Sequence, residues 1–332
     1  MKIIKLFSKA VFLKSFLILI LLNTTTDIYS QKRMKIPSYL KKGDTVAIVC
    51  TARKFFPEDA QPAIDLLKSW GLEVKLGRTI GLDSCQLGGT DKERIRDFQE
   101  MMDDDDVKAI WCARGGYGTV RIVDSLDFTK FKKHPKWVIG FSDVTVLHSH
   151  IHNMKVATLH GIMPFTVPRT EEISKETLRK ALFGEKLKYE VPAKGYEIEG
   201  KASGQLVGGN LSILYSLLGS KSSIDTKDKI LFIEDLDEYL YHVDRMMYNL
   251  KRNGYFEGLK GLVVGGMTDM HDNEIPFGQN EVGIILAIAK EYKIPVCFYF
   301  PAGHVKDNRA LILGSSVDLE VTKDKITLEF KP

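Results

Sequence analysis

From Thr45 to about Leu159, short β-branched and apolar runs alternate with longer segments of helical period, and no other feature constrains the chain as strongly. Near-continuous apolar strands need cover on both faces, and intervening helices supply it. The pattern therefore predicts an α/β domain with a mainly parallel sheet. Strands are expected over 45–50, 73–76, 107–112 and 137–141, with helices over 59–70, 92–102 and 119–126. Thr90 with Glu93 three residues on forms a capping box that opens the second helix. The acidic run Asp103 to Asp106 reads as a solvated loop between helix and strand.

The alternation stops near Pro164, where the text turns charged and is punctuated by Pro and Gly as far as Gly204, with one helix expected over 175–183. The expected division is an N-terminal α/β domain over 31–165, a linker over 166–203 and a C-terminal domain over 204–332. In the last, helices are expected over 211–218, 240–252 and 281–292, and strands over 230–233 and 261–264. A hairpin over 317–321 and 326–330, turning at Thr322-Lys323-Asp324-Lys325, closes the chain. With 332 residues, 44% hydrophobic and 27% charged, the chain is long enough for two domains with cores of their own.

Residues 1–30 read differently. Lys2, Lys5, Lys9 and Lys14 precede the apolar stretch Phe16 to Leu22, and a polar segment leads to Ser30. A basic start, a short apolar centre and a small residue at the exit predict a signal peptide cleaved near Ser30, hence an exported, periplasmic protein. The apolar run falls short of the ~20 residues that span a bilayer. These residues hold four Lys and one Asp, so their removal takes the formal net charge from +4 to +1. No dense basic patch interleaved with aromatics remains, and no nucleic-acid partner is expected. Cys50, Cys85, Cys112 and Cys297 are widely spaced, three of them in apolar runs, which predicts buried free thiols rather than disulfides or zinc ligands.

Four places carry candidate chemistry. In Gly140-Phe141-Ser142-Asp143 an apolar strand ends and a helical pattern begins at once, which puts Ser142 on a sharp strand-to-helix turn with the Asp143 N–H facing the same space. Ser142 as a nucleophile and Ser142 as a plain N-cap are evenly matched on this segment. Arg114-Gly115-Gly116-Tyr117-Gly118 follows a strand, and its spacing matches neither a dinucleotide fingerprint nor a Walker loop. An oxyanion donor from Gly115 or Gly116, beside Asp143, fits better. Ile233-Glu234-Asp235 ends an apolar run on two carboxylates, and Asp235 or Glu238 is also placed to cap the next helix. His304 stands in a Pro/Gly loop after another apolar run. Together Ser142, His304 and Glu234 supply nucleophile, general base and orienting carboxylate. His148, His150 and His152 suggest a metal cluster, but no Glu lies between His148 and His152, and they read as helix-surface and substrate-side residues; neither a metal nor another cofactor is called for.

These stretches, with Leu159-His160-Gly161, Gly208-Gly209-Asn210-Leu211, Asp244-Arg245 and Pro301-Ala302-Gly303-His304, together resemble the LD-carboxypeptidase (muramoyltetrapeptide carboxypeptidase) family of serine peptidases. The resemblance implies a swivelling-type α/β second domain, a cleft between domains, a Ser142-His304-Glu234 triad, no metal and a homodimer. It implies release of the terminal D-alanine from peptidoglycan tetrapeptides. The Gly-rich start seen after the first strand in many members is here Thr51-Ala52-Arg53-Lys54-Phe55. Two other readings share the cleft: a microcin-immunity type peptidase acting on a peptide-nucleotide antibiotic, and a periplasmic protein that binds muropeptides without cutting them.

Overall fold

The computed structural model describes residues 34–331, and the expected signal peptide over 1–30 lies outside the described residues. The first half builds strands β1 (Thr45–Val49), β2 (Glu73–Leu76), β3 (Val107–Cys112), β4 (Trp137–Gly140) and β5 (Thr158–His160). Between them run helices α1 (Pro57–Ser69), α2 (Asp91–Asp103), α3 (Thr129–Lys133) and α4 (Thr145–Asn153). Next come α5 (Glu172–Phe183), β6 (Lys188–Pro192), β7 (Gly200–Asn210), α6 (Leu211–Ser216), β8 (Lys229–Leu236), α7 (Leu240–Arg252), β9 (Gly261–Thr268) and α8 (Glu281–Ala289). The chain ends in β10 (Val296–Cys297), β11 (Leu311–Leu313), β12 (Ser316–Val321) and β13 (Lys325–Phe330).

The strands form two sheets. The first has the order β11-β5-β4-β3-β1-β2, parallel except for β11. Its inner strands β1, β3 and β4 are apolar and almost wholly buried, as a doubly covered parallel sheet requires. The second sheet, β10-β9-β8-β7-β12-β13-β6, is parallel from β10 to β7 and antiparallel beyond. The α/β class of both halves is as the sequence predicts. Each sheet has its own apolar core, and Leu217, just after α6, is buried in the core of the first half. The capping box is present: Thr90 Oγ1 accepts from Glu93 N, and Glu93 Oε2 accepts from Thr90 N at 2.8 Å. Among the described residues no helix is long and apolar enough to cross a membrane.

Several expectations need correction. The stretch 166–203 is more than a connection: it carries α5, the edge strand β6 and the start of β7. Within 204–332, β11 leaves the second sheet and pairs antiparallel with β5 in the first. The helix expected over 119–126 is two 3₁₀ turns, Thr119–Arg121 and Val123–Ser125. Thr119, Val120, Ile122 and Val123 are β-branched and poor helix formers, and the Thr119 N–H donates to Asp143 Oδ2 at 2.9 Å. Strands expected to stop at 233 and 264 run on as β8 and β9. Their pairing slips between Ile233 and Asp235, with Gly265-Gly266 supplying the extra residue of a bulge opposite Glu234.

Candidate active site

The carboxyl ends of the parallel strands in both sheets border one cleft of about 480 Å³. Loops after β1, β3 and β4 bring Arg53, Arg114, Gly115 and Ser142 to one wall; β7, β8 and the segment after β10 bring Asn210, Asp235 and His304 to the other. Ligands of open parallel sheets bind in this position, beyond the strand ends.

Ser142 has φ 61°, in the left-handed region that a serine seldom occupies. The turn between β4 and α4 is too tight for an ordinary backbone, and the conformation holds the hydroxyl out over the strand end. Its Oγ lies 3.1 Å from His304 Nε2, although the two residues are 162 positions apart. His304 Nδ1 lies 2.6 Å from Glu234 Oε2, and the same oxygen accepts the His304 N–H at 3.2 Å. Glu234 is fully buried, and its Oε1 has no hydrogen-bond partner among the described residues. A Cβ at position 303 would sit 2.5 Å from Glu234 Oε2, and Gly303 has φ +103°, so only glycine lets the His304 loop close over the carboxylate. The sequence-predicted trio thus converges at hydrogen-bond distances.

Burial lowers the proton affinity of the His304 imidazole, but the Glu234 carboxylate, by charge and by hydrogen bond, more than offsets this and holds its pKa above the ordinary value. The ring packs edge-on against Phe141 at 4.9 Å between centroids. Behind Phe141 lies His160, fully buried between it and Phe232 at 5.8 and 4.9 Å; burial keeps its pKa well below the ordinary value, so it is neutral.

Gly115 lies against the serine: a Cβ there would be 3.1 Å from Ser142 Cβ and 3.2 Å from Oγ. Gly116 is one step further out, under the Arg53 side chain. Beside the oxyanion role expected of its N–H, Asp143 has a structural one: its side chain is buried beneath the site and accepts the Thr119 N–H, tying the turn after β4 to the loop after β3. Burial raises its pKa, with the bonds from Thr119 acting in the opposite direction.

Asp235 does not cap the helix that follows it. It accepts from Asn210 Nδ2 at 2.9 Å and from Ser212 N at 2.8 Å, and so caps α6, while Glu238 is 2.5 Å from His242 Nδ1. Burial, and then repulsion from Glu234, push the Asp235 pKa up to about 7. Arg94 was not singled out from the sequence. It is fully buried, donates to the carbonyls of Thr51 and Gly118, and pairs with Asp91, clamping the loops after β1 and β3 together.

The histidines of α4 are not surface residues. His148 is buried between Thr158 Oγ1 and the Gly140 carbonyl, each at 2.8 Å, and His152 is buried too; His150, half-buried, meets Ser222 Oγ at 2.9 Å. Burial pushes His148 down to about 4 and His152 to about 3. Cys50, Cys112 and Cys297 are buried thiols pushed up to about 12 by burial, whereas Cys85 is exposed.

Residues 46–161 match the LD-carboxypeptidase N-terminal domain and residues 203–319 the LD-carboxypeptidase C-terminal domain. The probable murein peptide carboxypeptidase of Bacillus subtilis strain 168 is 37% identical over 303 residues, covering 88% of this chain and 94% of its own. The crystal structure of muramoyltetrapeptide carboxypeptidase from Oxalobacter formigenes is similar with TM-score 0.79 at 28% identity, covering 87% of this chain and 99% of that one. The microcin C7 self-immunity protein in its apo state gives TM-score 0.79 at 22% identity over 90% of this chain and 99% of its own, a likeness of fold alone. Both family domains match in order on the two halves that meet at the cleft, and the chain belongs to the LD-carboxypeptidase family as a serine-type carboxypeptidase.

Proposed function

We propose that the chain releases the terminal D-alanine of peptidoglycan tetrapeptides by nucleophilic attack of Ser142 on the carbonyl of the third residue. The observation that carries this reading is the Ser142–His304–Glu234 relay, 3.1 and 2.6 Å between successive partners. His304 Nδ1–H donates to Glu234, which leaves the Nε2 lone pair to take the serine proton. Oγ then bonds to the carbonyl carbon, and the oxyanion is held at the strand ends by N–H groups of Gly115, Gly116 or Asp143. The imidazolium, stabilised by Glu234, returns its proton to the departing D-alanine nitrogen. Water, activated by the same base, cleaves the acyl-enzyme. The names of the related murein peptide and muramoyltetrapeptide carboxypeptidases support this substrate class.

The Lys-rich, then apolar, start of the chain supports export to the periplasm, and a homodimer is the assembly proposed by family resemblance. Purified protein lacking residues 1–30 is to be incubated with disaccharide tetrapeptide beside Ser142→Ala, with free D-alanine followed by mass spectrometry. Release by the wild type and none above background by the variant is the expected result. No release by the wild type, or equal release by both, defeats the reading.

A further inference from the structure

Several arginines elsewhere in the structure are answered by carboxylates: Arg94 and Arg121 by Asp91, Arg179 by Glu176 and Glu185, Arg309 by Asp307. The cleft differs. Arg53 and Arg114 line it beside Ser142, and among the described residues neither guanidinium has an ion-pair or hydrogen-bond partner. Arg114 is held by stacking, its guanidinium carbon 3.9 Å from the centre of the Phe165 ring, and Arg169 packs on the same ring at 4.4 Å. Arg53 lies across Gly116, where an added Cβ would come within 2.7 Å of its Nε. Burial first, and then repulsion from Arg53 and Arg169, lower the pKa of Arg114, with the Asp59 carboxylate acting in the opposite direction.

We propose that Arg114 and Arg53 form the receptor for the free terminal carboxylate of the substrate, and thereby make the enzyme cut only at the last residue of a peptide. The position argues for this group above other anions. In a peptide cleaved at its last bond, the terminal carboxylate is carried one residue beyond the scissile carbonyl, and successive Cα atoms are about 3.8 Å apart. Its receptor must therefore border the nucleophile. Arg114 directly precedes Gly115, whose Cα abuts Ser142, and Arg53 crosses the next glycine while its N–H donates to the Gly115 carbonyl at 3.4 Å. A planar guanidinium fork matches a carboxylate in two hydrogen bonds, and stacking on Phe165 fixes its plane before substrate arrives. The opposite wall, with Asp235, Asp237 and Glu238, is acidic, so a bound peptide has one favoured direction.

This proposal rests on the carboxypeptidase reading above, and its test separates the two. Disaccharide tetrapeptide with a free terminal carboxylate and the same compound as the terminal amide are supplied to wild type, Arg114→Ala, Arg114→Lys and Arg53→Ala. The quantity read is the ratio of kcat/KM for acid over amide, which is independent of the folded fraction. The wild-type ratio is expected to be on the order of 10- to 100-fold, the worth of hydrogen bonds to a charged group. Arg114→Ala is expected to bring it close to one, chiefly through KM for the acid, Arg53→Ala to reduce it, and Arg114→Lys to retain part of it. A wild-type ratio near one, or ratios unchanged in the alanine variants, overturns the proposal and leaves the carboxypeptidase reading intact. If Arg114→Ala shows no turnover, the ratio in Arg53→Ala decides. Failure of the wild type to release D-alanine from the acid overturns the underlying reading, and this proposal with it.

Discussion

At the scale of the residue, His304 is drawn in two directions: burial favours the neutral ring, and Glu234 favours the charged one and prevails. A general base works only when neutral, so kcat/KM should climb with pH through a value above the ordinary 6.5 of histidine. Glu234→Gln removes the two largest causes that raise the pKa and leaves only the charge of Asp235. Its acid limb should move to lower pH while kcat falls about 10³- to 10⁴-fold, since the amide no longer fixes the tautomer. A pH profile of kcat/KM for the two proteins checks both parts; an unmoved limb would show that Glu234 does not set the titration. Ser142, Glu234 and His304 were legible because each follows an apolar run that ends at a cleft. The buried roles of Asp143, Arg94, His148 and His152 were not, since a polar residue placed under a site looks in sequence like one placed on a surface.

At the scale of the element, local chemistry was read more faithfully than length. The Thr90–Glu93 box is a short-range signal, and it is present atom for atom. Thr90→Ala should cost about 1 kcal/mol, the usual worth of a helix cap, and lower the midpoint of thermal unfolding by ~2–4 °C. Calorimetry checks this, and an unchanged midpoint would mean the cap contributes nothing. Strand ends were harder to read. The strand expected over 261–264 stops short of Gly265-Gly266, whereas the pair forms a bulge inside β9, and the bulge lies opposite Glu234, the residue whose aim matters most. A three-residue strand such as β11 offers too few positions for any periodicity to register.

At the scale of the whole molecule, the two halves are joined by bonds that also frame the site. Thr145 Oγ1, one turn below Ser142, accepts the N–H of Asn210 at 3.0 Å, and Asn210 in turn donates to Asp235. Thr145→Val keeps the shape but leaves a buried N–H unanswered, at a cost of about 1–3 kcal/mol. If that bond holds serine and imidazole in register, kcat should drop by ~10-fold or more with KM little changed, because small misplacements are expensive in a relay of this kind. Steady-state kinetics beside thermal unfolding check it; lower stability with unaltered kcat would assign the bond to scaffolding alone. Such contacts between distant parts of the chain are invisible to pattern reading, which sees neighbours.

The return of β11 to the first sheet also sets the order of events during synthesis. Strand β5 stays an open edge until residues 311–313 emerge, long after the rest of that sheet has been made. His304 emerges only shortly before them. A growing chain therefore carries Ser142 for 162 residues of synthesis before the imidazole that meets it is made, and the candidate site is complete only as the final segments close the sheet.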